Sequence, residues 1–385
     1  MTIKTQFWQV KADLQEQTAA DEAAIAAAAE LLRTGGTVAF PTETVYGLGA
    51  DARQTSAVEN VFVAKGRPSD NPLIVHIADE AQLRTLVKPY GDTERALMRR
   101  FWPGPLTLVL PALEGAVSPR VTAGLDTVAV RMPDHAVALR LIAESGCPVA
   151  APSANRSGRP SPTVAEHVRE DLNGRIDGIV DGGPTGVGLE STVVQVEAPG
   201  VVRILRPGGI TPVQLREAAP TVLLDESLEA LERKDATMVP QERAVVSDSP
   251  AVGTATAVPA AAPRSPGMKY THYAPRGSMQ LVHGEPDDVR AYITKALQAA
   301  AAEGEITGVL TYDEHAASYH ADAVISCGSL MKLETAAQGL YAALREFDAR
   351  GVQRIWAEAC SSDGIGLALM NRLEKAAGHQ IVYLT

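Results

Sequence analysis

The chain has 385 residues, enough for two domains, and 45% of them are hydrophobic, as in an ordinary globular protein. Its formal net charge of −11 argues against a protein that coats nucleic acid with a broad basic face. No apolar run reaches the length of a signal peptide or a membrane span, and the three widely spaced cysteines lack a CxxC pair. We therefore expect a soluble, cytoplasmic protein with reduced thiols and no membrane partner.

The first two hundred residues contain short strand-like and helical segments in an irregular order. Residues 7–10 predict a strand, and residues 21–34 predict a helix with acidic residues in its first turn and Gly35 at its end. Further strands are predicted at 37–40, 73–75, 106–110, 127–132, 149–152, 176–181, 191–196 and 201–205. Because these strands do not alternate regularly with helices, we expect a twisted mixed sheet with helices around a concave site.

The composition changes near residue 217. From there to about residue 266 the chain is rich in Ala, Pro, Ser and Thr, which predicts a linker. After residue 278 strands and helices alternate, which predicts a smaller parallel α/β, Rossmann-like domain. We therefore divide the chain into a catalytic domain (1–216), a linker or lid (217–277) and a C-terminal domain (278–385).

The stretch from 38 to 77 carries polar groups that a packed core does not need. Lys65 and Arg67 lie two positions apart, so in an extended segment they would face one side and could grip a polyphosphate. A solvated basic loop is the alternative explanation. Glu43 and His76 lie at the ends of predicted strands in the same stretch.

Other candidate groups lie further along. Ser153 and Asn155 could bind phosphate or ribose oxygens, although an ordinary turn explains them equally well. Arg131 ends a strand and could take a carboxylate or form an internal salt bridge. The glycine-rich loop 182–188 matches neither a P-loop nor GxGxxG before a helix, but Ser191 after it could line a polar pocket.

Two classes of function remain open on these residues. One is an enzyme that binds a nucleotide and a small amino acid, which explains the hydroxyls, Glu43 and His76. The other is an RNA-binding module, which explains only the cations, and aromatic residues make up only 4% of the chain. The acidic and histidine residues at 313–320 lack the spacing of a closed metal site, so no metal held by protein side chains is predicted.

Seven motifs, taken in order, resemble the YrdC/Sua5 family: PTETVYGLGADA, KGRPSDNPLIVHI, FWPGPLTLVL, TVAVRMPDH, APSANRSGRPSPT, GLESTVV and ILRPGGI. The resemblance covers about residues 20–215. SPGMKYTHYAP at 265–275 and the closing GIGLALMNRLEKAAG are similar to the long, two-domain Sua5 form.

The resemblance implies an L-threonylcarbamoyladenylate synthase, a nucleotidyltransferase. Its substrates would be L-threonine, bicarbonate and ATP with Mg²⁺, and its products threonylcarbamoyl-AMP and pyrophosphate. The adenylate would pass to the threonylcarbamoyl transferase machinery that makes t6A in tRNAs reading ANN codons. Direct RNA binding would be weak at most, and an RNA-binding ribosome-maturation factor is the alternative.

The resemblance also implies site residues. L-threonine would contact Thr44, His76, Arg131, the backbone of Ala151, and Ser191, with Arg131 taking the carboxylate. ATP would contact Lys65, Arg67, Asn71, Thr127, Ser153, Asn155, Ser161, Arg206 and Tyr273. Lys65 and Arg67 are the catalytic candidates, because they would neutralise the triphosphate. Tyr273, from the linker, would close over the site and shield the adenylate from water.

Overall fold

The computed structural model describes residues 3–226, 228 and 273–384. These residues form two sheets, one in each half of the chain. Most of the predicted linker, residues 229–272, lies outside the described residues. Within the described part of the chain, no helix is both long and apolar enough to cross a membrane.

The N-terminal sheet is mixed, as predicted. Its strands are β1 Gln6–Gln9, β2 Val38–Phe40, β3 Gly47–Asp51, β4 Ile74–His76, β5 Leu106–Pro111, β6 Thr127–Arg131, β7 Val149–Ala150, β8 Gly178–Asp181, β9 Thr192–Ala198, β10 Val201–Arg206 and β11 Thr221–Leu224. They lie in the order β1-β8-β2-β3-β7-β4-β6-β5-β9-β10-β11. Strands β2 and β3 pair antiparallel, whereas β4 and β6 pair parallel.

Eight helices are described in this half of the chain: α1 Ala19–Arg33, α2 Thr55–Lys65, α3 Glu80–Arg84, α4 Asp92–Phe101, α5 Pro119–Thr122, α6 Ala136–Ser145, α7 Ala165–Leu172 and α8 Pro212–Leu215. Helix α1 begins at Ala19, two residues before the predicted start, because Thr18 and Asp21 form a capping box. Its buried face, which includes Ile25 and Leu32, packs in one cluster with Leu141 of α6. Such apolar packing fixes the helices against the sheet.

Three central strands bring the predicted site residues together. In the parallel pair of β4 and β6, His76 lies opposite Arg131. The short strand β7 runs antiparallel to β4, so Val149 also lies opposite His76 and Ala151 follows directly. His76 and Arg131 therefore lie side by side, and the Ser153 loop leaves β7 beside Ile74, at the start of β4.

The second sheet is parallel throughout its described strands, which confirms the predicted α/β architecture. The strands are β12 Ser278–His283, β13 Thr307–Thr311, β14 Ala323–Ser326, β15 Arg354–Glu358 and β16 Ile381–Tyr383, in the order β14-β13-β15-β12-β16. The helices are α9 Pro286–Ala302, α10 Leu333–Ala349 and α11 Gly366–Ala376. The sequence analysis did not identify β16, a strand of only three residues.

The beginning of the predicted linker differs from the expectation. Strand β11 pairs parallel with β10, and Val222 and Leu224 pack against the main core of the N-terminal half. A short apolar run next to an open sheet edge can add a strand even when Ala and Pro residues flank it. The sheet therefore continues past residue 216, and the domain limits stay a prediction.

The two halves are joined by buried charges. Arg345 of α10 donates to Asp171 of α7 at 2.8 Å and to the carbonyl of Pro160 at 2.7 Å. Both charged side chains are almost completely shielded from solvent. Two buried charges in contact satisfy each other, so this pair fixes α10 against the N-terminal half.

Candidate active site

A cavity that is partly open to solvent runs along β4, from Pro72 before the strand to His76 at its end, and includes residues from the end of β6 and from the segment after β7. Its lining residues are Thr42, Thr44, Val45, Gly47, Arg67, Pro72, Leu73, Ile74, His76, Arg131, Ala151, Pro152, Ser153, Asn155, Glu190, Ser191, Arg206 and Tyr273. Most of the predicted site residues are therefore brought together. Four predicted residues do not line the cavity: Lys65, Asn71, Thr127 and Ser161.

Arg131 is held from three sides at the cavity wall. Its Nη1 donates to the Thr44 hydroxyl at 2.9 Å, and its Nε donates to the Gly104 carbonyl at 3.3 Å. Its Nη2 lies 2.5 Å from a carboxylate oxygen of Glu43. The internal salt bridge considered from the sequence is thus present, and it fixes the orientation of the guanidinium.

His76 is a buried, neutral imidazole. Burial, together with the nearby charge of Arg131, lowers its pKa from 6.5 to about 3. The ring meets Phe40 edge-on with centroids 6.1 Å apart, and among the described residues its Nδ1 has no hydrogen-bond partner. A buried ring nitrogen without a partner is costly, so it is available to a ligand.

Ser191 and Arg206 are fixed to each other. Arg206 Nη2 donates to the Ser191 carbonyl at 2.9 Å and to its hydroxyl at 3.2 Å. The Ser191 hydroxyl also lies 2.8 Å from that of Thr107 on β5. The loop before β9 and the end of β10 therefore present a hydroxyl and a guanidinium to the same cavity.

The backbone of Ala151 was expected to contact L-threonine. Its N–H donates to the Ile74 carbonyl at 2.9 Å, so this amide is already engaged.

The expected geometry of Lys65 and Arg67 is wrong. Lys65 is the last residue of α2, and Gly66 follows in the left-handed conformation at φ 63°, so the segment is not extended. Such a helix end is a site that favours glycine. Arg67 lines the cavity, whereas Lys65 is only 3% exposed and turns away from it.

Lys65 braces the Ser153–Asn155 loop from behind. Its ammonium donates to the Ser153 carbonyl at 2.5 Å, to the Asn155 carbonyl, and to Asn155 Oδ1 at 3.3 Å. These three acceptors match the three donors of a lysine. Burial, followed by the nearby Arg67 charge, holds the pKa of Lys65 well below its usual value.

The Ser153–Asn155 loop combines a turn with a cavity wall. The Ser153 hydroxyl donates to Asn155 Oδ1 at 2.5 Å, and the Asn155 amide donates to the carbonyls of Arg156 and Arg159, both at 2.8 Å. The side chain of Asn155 thus has internal partners, as the turn explanation requires. Ser153 nevertheless keeps its lone pairs for a ligand at the cavity.

Asn71 and Thr127 occupy different positions from the cavity lining. Asn71 is 1% exposed, and neither atom of its amide has a hydrogen-bond partner among the described residues. It lies one residue before Pro72, which does line the cavity. Thr127 begins β6, at the end opposite to Arg131. Because β4 and β6 run parallel with Ile74 opposite Ala129, Thr127 lies beside Pro72 and Asn71 at the start of β4, without lining the cavity itself.

Glu190 is a cavity residue that the sequence analysis missed. Ser161 donates to its Oε1 at 2.6 Å, which places Ser161 behind Glu190. Tyr341 and Arg372, from the C-terminal domain, donate to its Oε2 at 2.8 and 2.9 Å. Burial alone would raise the pKa of Glu190, but the charges of the neighbouring arginines outweigh it and lower the pKa to about 2.

Tyr273 forms part of the cavity wall and rests on the C-terminal domain. It is 5% exposed and has a left-handed backbone at φ 68°. Its ring lies 5.2 Å from that of Tyr341, and the Arg372 guanidinium lies 5.7 Å from its centroid. Such a cation over an aromatic face is a favourable contact.

In the described residues no cluster of His, Cys, Asp and Glu could hold a metal ion.

Comparison with known proteins identifies the family. A family model described as telomere recombination matches residues 30–208, and one described as threonylcarbamoyl-AMP synthase, C-terminal domain, matches residues 225–378. The threonylcarbamoyl-AMP synthase of Bacillus subtilis (strain 168) is 50% identical over 380 residues, which cover 99% of this chain and 100% of that protein. The chain belongs to the Sua5 family. The resemblance noted from its motifs, and the two-domain form, are thereby confirmed.

Two further comparisons differ in how much of the chain they cover. The crystal structure of Pyrococcus abyssi Sua5 complexed with L-threonine matches with a TM-score of 0.84 at 42% identity, covering 99% of this chain and 100% of that one. The threonylcarbamoyl-AMP synthase of Halorhodospira halophila is 45% identical over 158 residues, which make up 40% of this chain and 81% of that protein. Relatives with the same name thus match either the whole chain or a part of it.

Proposed function

We propose that the protein is an L-threonylcarbamoyladenylate synthase that joins L-threonine, bicarbonate and ATP. The observation that carries this proposal is one cavity that brings together hydroxyls, a neutral imidazole and the three arginines Arg67, Arg131 and Arg206. We assign Thr44, His76, Arg131, Ala151 and Ser191 to L-threonine and call them the threonine half. We assign Arg67, Ser153, Asn155, Glu190, Arg206 and Tyr273 to ATP and call them the nucleotide half.

The threonine half suits a small hydroxy amino acid. Arg131 supplies the charge for the carboxylate, and its contact with Glu43 keeps the guanidinium in place before the substrate arrives. Neutral His76 and the hydroxyls can bond the threonine side chain without adding a charge beside its amine. A site that hydrogen-bonds a substrate hydroxyl rejects analogues that lack it.

The nucleotide half suits a triphosphate. Arg67 and Arg206 offer planar guanidinium groups that bind phosphate oxygens in pairs. Lys65 acts indirectly, because its ammonium holds the Ser153–Asn155 loop in place at the cavity wall. No dedicated cage for Mg²⁺ exists among the described side chains, so the ion would come with ATP, held by phosphate oxygens and water.

The reaction needs positioning and charge neutralisation rather than a covalent enzyme intermediate. Neutral threonine amine and bicarbonate give the carbamate and water. A carbamate oxygen then forms a bond to the α-phosphorus, the bond from that phosphorus to the bridging oxygen breaks, and pyrophosphate leaves with the electron pair. The arginines stabilise the charge that develops on the phosphoryl oxygens, and Tyr273 at the wall excludes water.

The adenylate would serve a transferase that modifies tRNA to t6A. The protein would act in the cytoplasm, where the thiols of Cys147, Cys327 and Cys360 stay reduced. Little direct RNA binding is expected. Among the described residues that line the cavity, Tyr273 is the only Phe, Tyr or Trp, so no stacking platform supports the RNA-binding alternative.

Pyrophosphate release tests the proposal. Purified protein receives ATP and Mg²⁺ with and without L-threonine and bicarbonate, and L-serine replaces L-threonine as a control. We expect release that requires both co-substrates and is much slower with L-serine. Release independent of threonine, or none at all, would overturn the proposal, and retention of bulk RNA on a filter at moderate salt would then favour the RNA-binding alternative.

A further inference from the structure

Glu190 is the point at which the C-terminal domain reaches the cavity. Its Oε2 accepts hydrogen bonds from Tyr341 on α10 and Arg372 on α11, while its Oε1 accepts one from Ser161 of the N-terminal half. Glu190 itself lines the cavity beside Ser191. Two helices of the second domain therefore determine where a carboxylate lies in the first.

Arg372 contacts other parts of the cavity wall besides Glu190. Its Nη2 donates to the carbonyl of Pro207 at 2.9 Å, directly after Arg206, and its guanidinium lies over the ring of Tyr273. The side chain is completely buried. One guanidinium thus connects three parts of the cavity wall, and a lysine could not form this set of contacts because it lacks the planar fork.

The charges show what Glu190 can bind. It is ionised, because Arg372 and Arg206 outweigh the effect of burial on its pKa. Ser161 and Tyr341 must therefore donate to it, and Ser161 uses its only hydrogen in doing so. A carboxylate has about four acceptor positions, and the described residues occupy three of them. Oε1 retains room for one more donor, whereas a phosphate oxygen would be repelled.

We propose that Glu190 accepts a hydrogen bond from a donor on the nucleotide, either a ribose hydroxyl or the exocyclic amine of adenine. Tyr341 and Arg372 are then positioning residues, through which the C-terminal domain completes the nucleotide half of the cavity. This inference rests on the proposed function for the identity of the nucleotide. It gives the second domain a role in ATP affinity rather than in threonine recognition.

Tyrosine variants offer a matched test. Tyr341→Phe removes the hydroxyl that reaches Glu190 across the domain contact. Tyr319→Phe removes a hydroxyl that donates at 2.5 Å to Glu358, a buried carboxylate inside the C-terminal domain. For Tyr341→Phe we expect the KM for ATP to rise about tenfold, as for a lost hydrogen bond to a charged group, while the KM for L-threonine stays within about twofold. Tyr319→Phe should change neither constant.

Binding and nucleotide analogues complete the test. The Kd of a non-hydrolysable ATP analogue, measured by titration calorimetry, should rise in Tyr341→Phe and more in Arg372→Lys. With 2′-deoxy-ATP, 3′-deoxy-ATP and inosine triphosphate as substrates, the analogue that lacks the donor should lose its sensitivity to Tyr341→Phe, which identifies the group.

Several results would overturn the inference. These are an equal effect of Tyr319→Phe, a selective rise in the KM for L-threonine, or an unchanged Kd in both interface variants. Failure of the proposed function looks different, because the wild-type protein would then release no threonine-dependent pyrophosphate. The calorimetric comparison of the variants would still decide the role of Glu190.

Discussion

The polar groups at the ends of β4 and β6 can be compared with those at the ends of β13 and β15. At the first site, His76 Nδ1 has no hydrogen-bond partner among the described residues, although the side chain is buried. At the second site, buried Glu358 accepts hydrogen bonds from Thr311 at 2.6 Å and Tyr319 at 2.5 Å. His315 Nδ1 adds a contact at 3.1 Å.

The difference separates a ligand site from an internal network. A buried polar atom without a partner costs about 1–3 kcal/mol, so such atoms persist where a ligand satisfies them. The carboxyl edge of a parallel sheet is a common place for ligands. Around Glu358, however, the protein's own side chains supply the hydrogen bonds. Hydrogen-bond satisfaction therefore argues against a ligand at Glu358 and favours one at His76.

The largest expected effect concerns Lys65, which supports the first site from behind. Lys65→Met removes the lysine donor from the carbonyls of Ser153 and Asn155, and it leaves Asn155 Oδ1 with the Ser153 hydroxyl as its donor. We expect the free energy of unfolding, measured with urea, to fall by roughly 3 kcal/mol. Pyrophosphate release should fall about 100-fold, because the loop that lines the cavity moves.

Lys88→Met is the control for this change, since Lys88 is exposed. It should alter neither quantity. If Lys65→Met matched this control in stability and lost only activity, Lys65 would act on the triphosphate itself, as the sequence analysis predicted. The role of a loop brace would then be wrong.

Lys65 also shows which features of the fold and of the site could be predicted from the sequence. The order of strand-like and helical segments predicted the mixed sheet and the parallel second sheet, and the resemblance to the YrdC/Sua5 motifs implied most residues of the cavity. The spacing of Lys65 and Arg67 misled because Lys65 ends a helix and Gly66 follows in the left-handed conformation, so the segment is not extended and only Arg67 lines the cavity. A helix end at this position could have been recognised from the apolar pattern of residues 55–65.

Glu190 could not be assigned from its neighbours in the sequence. Its partners Tyr341 and Arg372 lie 151 and 182 positions further along the chain. Each lies on a helix whose pattern indicates only a buried face. The contact depends on how two domains pack, and local patterns carry no information about that packing. Ser161 was selected by motif for the same region, and the structure places it one layer behind the cavity.

A smaller effect concerns the protonation of His76. Because its pKa is about 3 in the folded protein and 6.5 as an ordinary value, the unfolded chain binds one proton more between these two values. The free energy of unfolding therefore falls as the pH falls below 6.5. At about pH 5 this single group should cost roughly 2 kcal/mol relative to neutral pH.

His76→Gln should remove this part of the pH dependence in urea unfolding curves at the two pH values. The exposed His320 provides the matched change, and His320→Gln should keep the slope of the wild-type protein. Equal slopes in the wild-type protein and His76→Gln would show that His76 is already protonated or accessible to water in the folded state. The neutral imidazole assigned to the cavity would then be wrong.

The smallest expected effect comes from two buried threonines that can be changed identically. Thr107 shares a hydrogen bond with Ser191 at the cavity, and Thr311 donates to Glu358 in the internal network; both are fully buried on strands. Replacing either by valine keeps the shape and removes one hydrogen bond, so each should lower the free energy of unfolding by about 1 kcal/mol. Only Thr107→Val should also raise the KM for L-threonine, because Ser191 loses the partner that orients its hydroxyl. A comparable rise in Thr311→Val would mean that the Glu358 network is coupled to the cavity, and the distinction between a ligand site and an internal network would fail at that point.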